Sequence, residues 1–179
     1  MNKELVVLVT PQGEAIGLQE KMQAHYQGQL HLAFSVLLYR DGEQEREYLL
    51  HQRAMGKYHS GGLWTNTCCS HPRQDESFIE AGIRRLGEEM GIVQPLPLQD
   101  VATFLYRAEL DNDLVEHELD HVLIANCGPL EFTPNPDEVM AVRWWPESEI
   151  KAQLATEPHG FTAWFPQVWQ HTQASFQHD

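Results

Sequence analysis

The stretch Trp64 to Ile92, WTNTCCSHPRQDESFIEAGIRRLGEEMGI, constrains this chain more than any other. It sets Cys69 two residues before His71 and then runs into a helix-patterned segment that ends in the adjacent carboxylates Glu88 and Glu89. From Glu76 to Gly91 the apolar residues Ile79, Ile83, Leu86 and Met90 recur at intervals of four, three and four, which predicts one buried helical stripe. Gly91 supplies the stop signal. Carboxylates in a last turn face the negative end of the helix dipole, so they call for a compensating cation. A bound metal is one such cation; Arg84 and Arg85, one turn back at i−4, are the other.

With 179 residues the chain fits one domain, 1–179, large enough for a real core. No apolar run approaches the roughly 18 residues of a membrane span, and the run in MNKELVVLVTPQG is too short for a signal peptide. A cytoplasmic protein with no membrane partner is expected. The net charge of −14, from 12 basic against 26 acidic residues, repels nucleic acid and anionic membrane. An anionic substrate would therefore need a local cluster of Lys, Arg and metal ions. Three cysteines, two of them adjacent, make no ordinary disulfide framework, which leaves a free thiol available as nucleophile or base.

Along the chain, Glu4 to Thr10 reads as a strand ended by Pro11-Gln12-Gly13. Leu18 to Gln27 reads as a short helix or loop carrying Lys21 and His25. His31 to Tyr39 is an apolar run ending at Asp41-Gly42, as a buried strand would, and Glu47 to Arg53 should pair with it across DGEQ. A Gly-rich loop, Ala54 to Leu63, follows and holds Lys57. Beyond the helix, Gln94 to Leu98 is a connection and Val101 to Glu109 a strand. In Val115 to Ala125 period two governs: Glu116, Glu118 and Asp120 share one face, and Val115, His117, Leu119 and His121 take the other. Val139 to Trp145 is another strand, PESEI opens a helix, and Phe161 to Phe176 is an aromatic, helix-like tail. Hairpins flanked by a few helices predict a mixed α+β sandwich.

His25, His31 and His71 with Glu116 and Glu118 would give a mixed nitrogen and oxygen donor set, suited to Mn²⁺ or Zn²⁺ and less comfortably to Mg²⁺. The ordinary alternative is a surface His25, a His31 packed at a strand start, and carboxylates solvated on an edge strand. Cys68 reads as a buried core thiol. Cys69 reads as lying in a turn, where a nearby metal or imidazolium could lower its pKa.

From Ser70 onward the segment resembles the Nudix box: a glycine, five residues, a glutamate, seven residues, then REUxEExGU with U aliphatic. Ser70, Glu76, Arg84, Arg85, Leu86, Glu88, Glu89, Gly91 and Ile92 occupy those places. Serine stands where the box has glycine, and Arg85 where it has its first REU glutamate, one of the carboxylates that gather magnesium for diphosphate hydrolysis. HxxxxxHLAFS at His25 to Ser35, WTNTCCSHP at Trp64 to Pro72, YRA at Tyr106 and VEHE at Val115 to Glu118 together look like the type I isopentenyl diphosphate isomerases, a family with a Nudix fold. That resemblance implies a metal centre on His25, His31, His71, Glu116 and Glu118, filled by Mn²⁺, Zn²⁺ or Mg²⁺. A second, substrate-borne Mg²⁺ falls on Glu89 and the backbone carbonyl of Cys69. It further implies an acid/base pair of Cys69 and Glu118 with Tyr106 hydrogen-bonded near the latter, diphosphate contacts from Lys21, Arg53, Lys57 and Arg85, and an indole, Trp164, facing a carbocation. The expected partners are isopentenyl and dimethylallyl diphosphate, with a homodimer possible. A Nudix pyrophosphohydrolase and a non-catalytic binding module are the competing readings.

Overall fold

In the computed structural model, which describes residues 4–177, everything is arranged about one long strand, β3 (His31–Asp41). Its run of apolar and β-branched residues is buried because β3 is paired along both edges. On one edge it runs parallel to β8 (Val115–Asn126), from His31↔Glu118 to Tyr39↔Asn126. The other edge is shared by three antiparallel partners. β1 (Leu5–Val9) meets it at Leu8↔His31, β6 (Cys68–Ser70) at Phe34↔Ser70 to Val36↔Cys68, and β4 (Arg46–Arg53) at Tyr39↔Tyr48 to Asp41↔Arg46. β2 (Ala15–Glu20) extends the sheet beyond β1, β5 (Trp64–Thr65) and β9 (Val139–Pro146) pair with β4, and β7 (Gln99–Glu109) pairs with β8. The result is one mixed sheet with helices on its faces, as the sequence pattern and the resemblance imply.

Two cores follow from the pleat. Phe34, Val36, Leu38, Cys68, Leu123 and Ala125 point to the side covered by α2 (Phe78–Met90). Leu37, Val122, Ile124 and Tyr106 point to the side covered by α4 (Phe165–Phe176), where Trp164, Phe165, Val168 and Trp169 close the layer. α1 (Lys21–Gln27) ends at Gly28, whose φ of 66° is the left-handed cap that lets the chain turn at once into β3. α3 (Glu147–Thr156) follows β9 directly. No helix among the described residues is long and apolar enough to cross a membrane.

Several expectations need correction. α2 starts at Phe78, where Ser77 accepts from the Glu80 amide and Glu80 returns a bond to Ser77, a capping box. Ile83 is 51% exposed and is not part of the buried stripe, which instead runs through Ala81, Gly82, Leu86, Glu89 and Met90. Gly82 explains the rotation: a Cβ there would stand 3.0 Å from Leu98 and 3.1 Å from Leu123, so the backbone lies directly on the core. Residues 18–20 belong to strand β2, and Cys69 lies in strand β6 where a turn was expected. The ordinary alternative for the carboxylates, an edge strand, does not hold, because β3 and β7 flank β8.

Candidate active site

Strand parity assembles the site. Because β3 and β8 are parallel and in register, His31 sits beside Glu118 and Ala33 beside Asp120, all on the α4 side with Glu116. Ser35 faces Cys69 across the β3–β6 pairing, so Cys69 joins this side while Cys68 turns into the opposite core. Tyr106 is the cross-strand partner of Glu118 in β7. α1 brings His25 in from the sheet end.

His25, His31, His71 and Glu118, all buried, present ligand atoms within 4.8 Å of one another. His25 and His31 each point Nδ1 at a backbone carbonyl, of Lys21 and of Gln29, both at 2.8 Å. A carbonyl only accepts, so Nδ1 carries a proton and Nε2 is the nitrogen turned to the cluster, where the neutral ring offers its lone pair to a cation. Both Nε2 atoms are buried without a hydrogen bond. Oε2 of Glu118 lies 3.3 Å from His31 Nε2 and 3.0 Å from His71 Nε2. Buried polar atoms are seldom left orphaned; three convergent imidazoles on a carboxylate fit a divalent cation well. Glu116 adjoins them, its Oε2 3.9 Å from His25 Nε2. Burial opposes ionisation of Glu118, but His31 and His71 outweigh it and hold the carboxyl well below the usual carboxylate range.

A cavity of about 110 Å³ opens onto this cluster and is lined by Cys69, Glu118, Trp164, Lys21, Arg53, Lys57, Arg85 and Glu89 among others. The expected bases therefore converge, although each already has a partner. Lys21 pairs with Glu4 at 2.8 Å, Lys57 with Glu138 at 3.6 Å, and Arg85 with Glu138 at 2.7 Å and Glu89 at 3.1 Å. Arg53 donates to the His59 carbonyl at 3.3 and 3.1 Å, with its guanidinium 5.4 Å from the centre of the Trp164 ring. The i−4 compensation expected in α2 is present: Arg85 reaches Glu89, and Arg84 binds Glu88 at 2.9 Å and Glu76 at 2.7 Å. Burial, reinforced by the Glu138 carboxylate and opposed by Arg85, pushes Glu89 up to about 7.

The Trp164 indole N–H donates to Cys69 Sγ at 3.2 Å, and the thiol lies 3.2 Å from Asn66 Oδ1. Burial, then the Asp120 and Glu89 carboxylates, push that thiol up to about 12, opposite in direction to the lowering a nearby metal or imidazolium would give. Tyr106 does not make the hydrogen bond expected near Glu118: its buried hydroxyl has no partner. The ring meets Trp164 edge-on at 6.5 Å. Sequence reasoning did not single out His51, His59, Glu138 or Asp120 as site residues. His51 places Nε2 3.6 Å from Glu89, and Asp120, on the already recognised carboxylate face, accepts from Ser35 at 3.0 Å. His59 and Glu138 come from a loop and a strand entrance with no periodicity to mark them.

Residues 29–165 match the NUDIX domain model. The solved structures agree. DR0079 from Deinococcus radiodurans superposes with a TM-score of 0.67 at 15% identity, covering 86% of this chain and 90% of that one. A MutT protein from Methanosarcina mazei Go1 gives 0.63 at 17%, covering 81% and 94%. Within that fold, proteins named isopentenyl-diphosphate Delta-isomerase are far more similar: 64% identical in Photobacterium profundum (94% of both chains) and 45% identical in Burkholderia multivorans (91% of this chain, 89% of that one). The chain belongs to the isopentenyl-diphosphate Delta-isomerase family.

Proposed function

We propose that this protein interconverts isopentenyl and dimethylallyl diphosphate by adding a proton to the terminal CH₂ and removing one from C2, through a tertiary carbocation. The observation that carries the reading is that Cys69 and Glu118 line one small cavity together with Trp164 and four basic side chains. Had the thiol and the carboxyl opened into separate cavities, one five-carbon chain could not have spanned them.

The roles follow from chemistry. Isomerisation needs one group that gives a proton and one that takes it, on a substrate held between them. Cys69 and Glu118, which line the one cavity, form this pair: one gives a proton to C4 and the other takes the one from C2. The opposite direction uses the pair with roles exchanged. Burial keeps water from capturing the cation. The indole of Trp164, held by its bond to Sγ, offers a π face worth about 2 kcal/mol to a desolvated cation without adding to carbon. Tyr106, whose hydroxyl is unpartnered, is free to take up a proton contact with Glu118. Lys21, Lys57 and Arg85 exchange their carboxylate partners for the diphosphate, which Arg53, bonded to the His59 carbonyl, also faces and which must be anchored so that it does not leave.

His25, His31, His71, Glu116 and Glu118 would hold Mn²⁺, Zn²⁺ or Mg²⁺, and Glu89 with the Cys69 carbonyl would hold the Mg²⁺ that arrives with substrate. When bound, these ions supply positive charge that keeps Glu118 ionised and neutralises the diphosphate. The decisive experiment incubates the protein with isopentenyl diphosphate and Mg²⁺ in D₂O and follows deuterium into the methyl and C2 positions. Exchange is expected in the wild type and lost in Cys69→Ala and Glu118→Gln. Equal exchange in all three, or release of inorganic phosphate instead, would overturn the reading. A hydrolase is disfavoured because Arg85 replaces a magnesium-gathering carboxylate.

A further inference from the structure

His59 gathers with His25 and Glu116 in a second group of buried ligand atoms within 4.8 Å of one another, but the partner of its other nitrogen gives it a different task. It lies in the 54–63 loop, is 1% exposed, and brings Nε2 to 3.1 Å from Glu116 Oε2, close but not aligned as a full hydrogen bond. Its Nδ1 lies 2.9 Å from the Ser60 hydroxyl. That partner differs in kind from those of His25 and His31. A carbonyl oxygen places a proton on Nδ1, so that in the neutral ring Nε2 is bare; a hydroxyl can donate to Nδ1 and so leave the proton on Nε2. Bare Nε2 suits a metal ligand, whereas protonated Nε2 suits a donor to a carboxylate. Glu116 meanwhile has its other oxygen, Oε1, buried with no hydrogen bond at all.

We propose that His59 is a positioning residue for the metal centre: its Nε2–H holds Glu116 at Oε2, the oxygen that also faces His25 Nε2 at 3.9 Å, and so fixes that carboxylate beside the cation site. This rests on the metal-centre reading above. The loop is built to keep the imidazole in place. Ser60 adopts φ 56° and donates its amide to Asp111 Oδ1 at 3.0 Å, and the Asn112 side chain donates to the Tyr58 carbonyl at 3.2 Å. The His59 ring is met edge-on by Tyr58 at 4.4 Å and by Trp164 at 5.7 Å. The His59 carbonyl accepts both bonds from Arg53. One residue therefore touches the metal-side carboxylate, the indole and a substrate-side arginine.

The test measures Mn²⁺ affinity in chelator-stripped protein from the EPR signal of free Mn²⁺. His59→Ala should weaken binding about 10- to 100-fold, and His59→Gln, which keeps a donor at the same reach, should return it to within about threefold of wild type. Thermal melts of the stripped proteins check folding, and His59→Leu replaces His59→Ala if the smaller side chain unfolds the loop. Unchanged affinity in the variant without a donor overturns the proposal. So does a His59→Gln protein as weak as His59→Ala, because the imidazole nitrogen would then be a ligand itself. A wild type that binds no Mn²⁺, with His31→Ala indistinguishable from it, would defeat the metal-centre reading and this inference with it.

Discussion

The two faces of the central sheet are made by the same strands and do opposite work. Toward α2, Phe34, Val36, Leu38, Cys68 and Leu123 close a dry core with Leu86 and Met90. Toward α4, the first half of each strand carries His31, Ser35, Cys69, Glu118 and Asp120, all buried or nearly so, with His31 Nε2 and Asp120 Oδ1 making no hydrogen bond. Burying polar atoms without partners costs stability, so the second face is organised for chemistry and the first must hold the fold. Cys68 and Cys69 show the contrast at its sharpest, since a single step along β6 separates a core filler from a cavity thiol.

The largest expected effect breaks the second face. Cys69→Ala should lower kcat by about 10²- to 10⁴-fold with little change in melting temperature, while Cys68→Ala keeps most activity and melts earlier; steady-state assays and thermal melts on both would show it. If Cys68→Ala were the inactive variant, the assignment of faces would be reversed. On the dry face, Leu86→Ala should cost about 2–5 kcal/mol by the loss of packing and the cavity left behind. Urea unfolding measures this, and activity per folded molecule should stay near wild type.

Metal sharpens the contrast between the faces. A cation that binds the folded site and not the unfolded chain adds about 2.7 kcal/mol when present at a hundred times its dissociation constant. Stripping with chelator should lower the melting temperature of wild type, while His31→Ala should lose most of that difference. The smallest effect lies outside both faces: Ser77→Ala removes the α2 cap and should cost about 1 kcal/mol with no change in kcat. A drop in kcat would mean that the start of α2 positions Arg85 and Glu89 more tightly than a thirteen-residue helix requires.

Much of this was legible from residue order. Period two in Val115 to Ala125 put Glu116, Glu118 and Asp120 on one face, and all three are buried together. Ile83 was misplaced because 79, 83, 86 and 90 make as good a stripe as the one used, and only the close approach at Gly82 chose between them. β2 left little signal because AIGLQE is mostly exposed and so shows no alternation of burial.

Residue order determined which groups share a strand face and that a thiol, imidazoles and carboxylates lie at fixed local spacings, because periodicity is a property of the backbone alone. Which of those faces meet was decided only in three dimensions. The parallel register of β3 with β8 brings His31 beside Glu118, and the fold of the 54–63 loop brings His59 onto Glu116. Such contacts join residues 87 and 57 positions apart, and no local propensity can encode a distance that only the packing of the whole sheet sets.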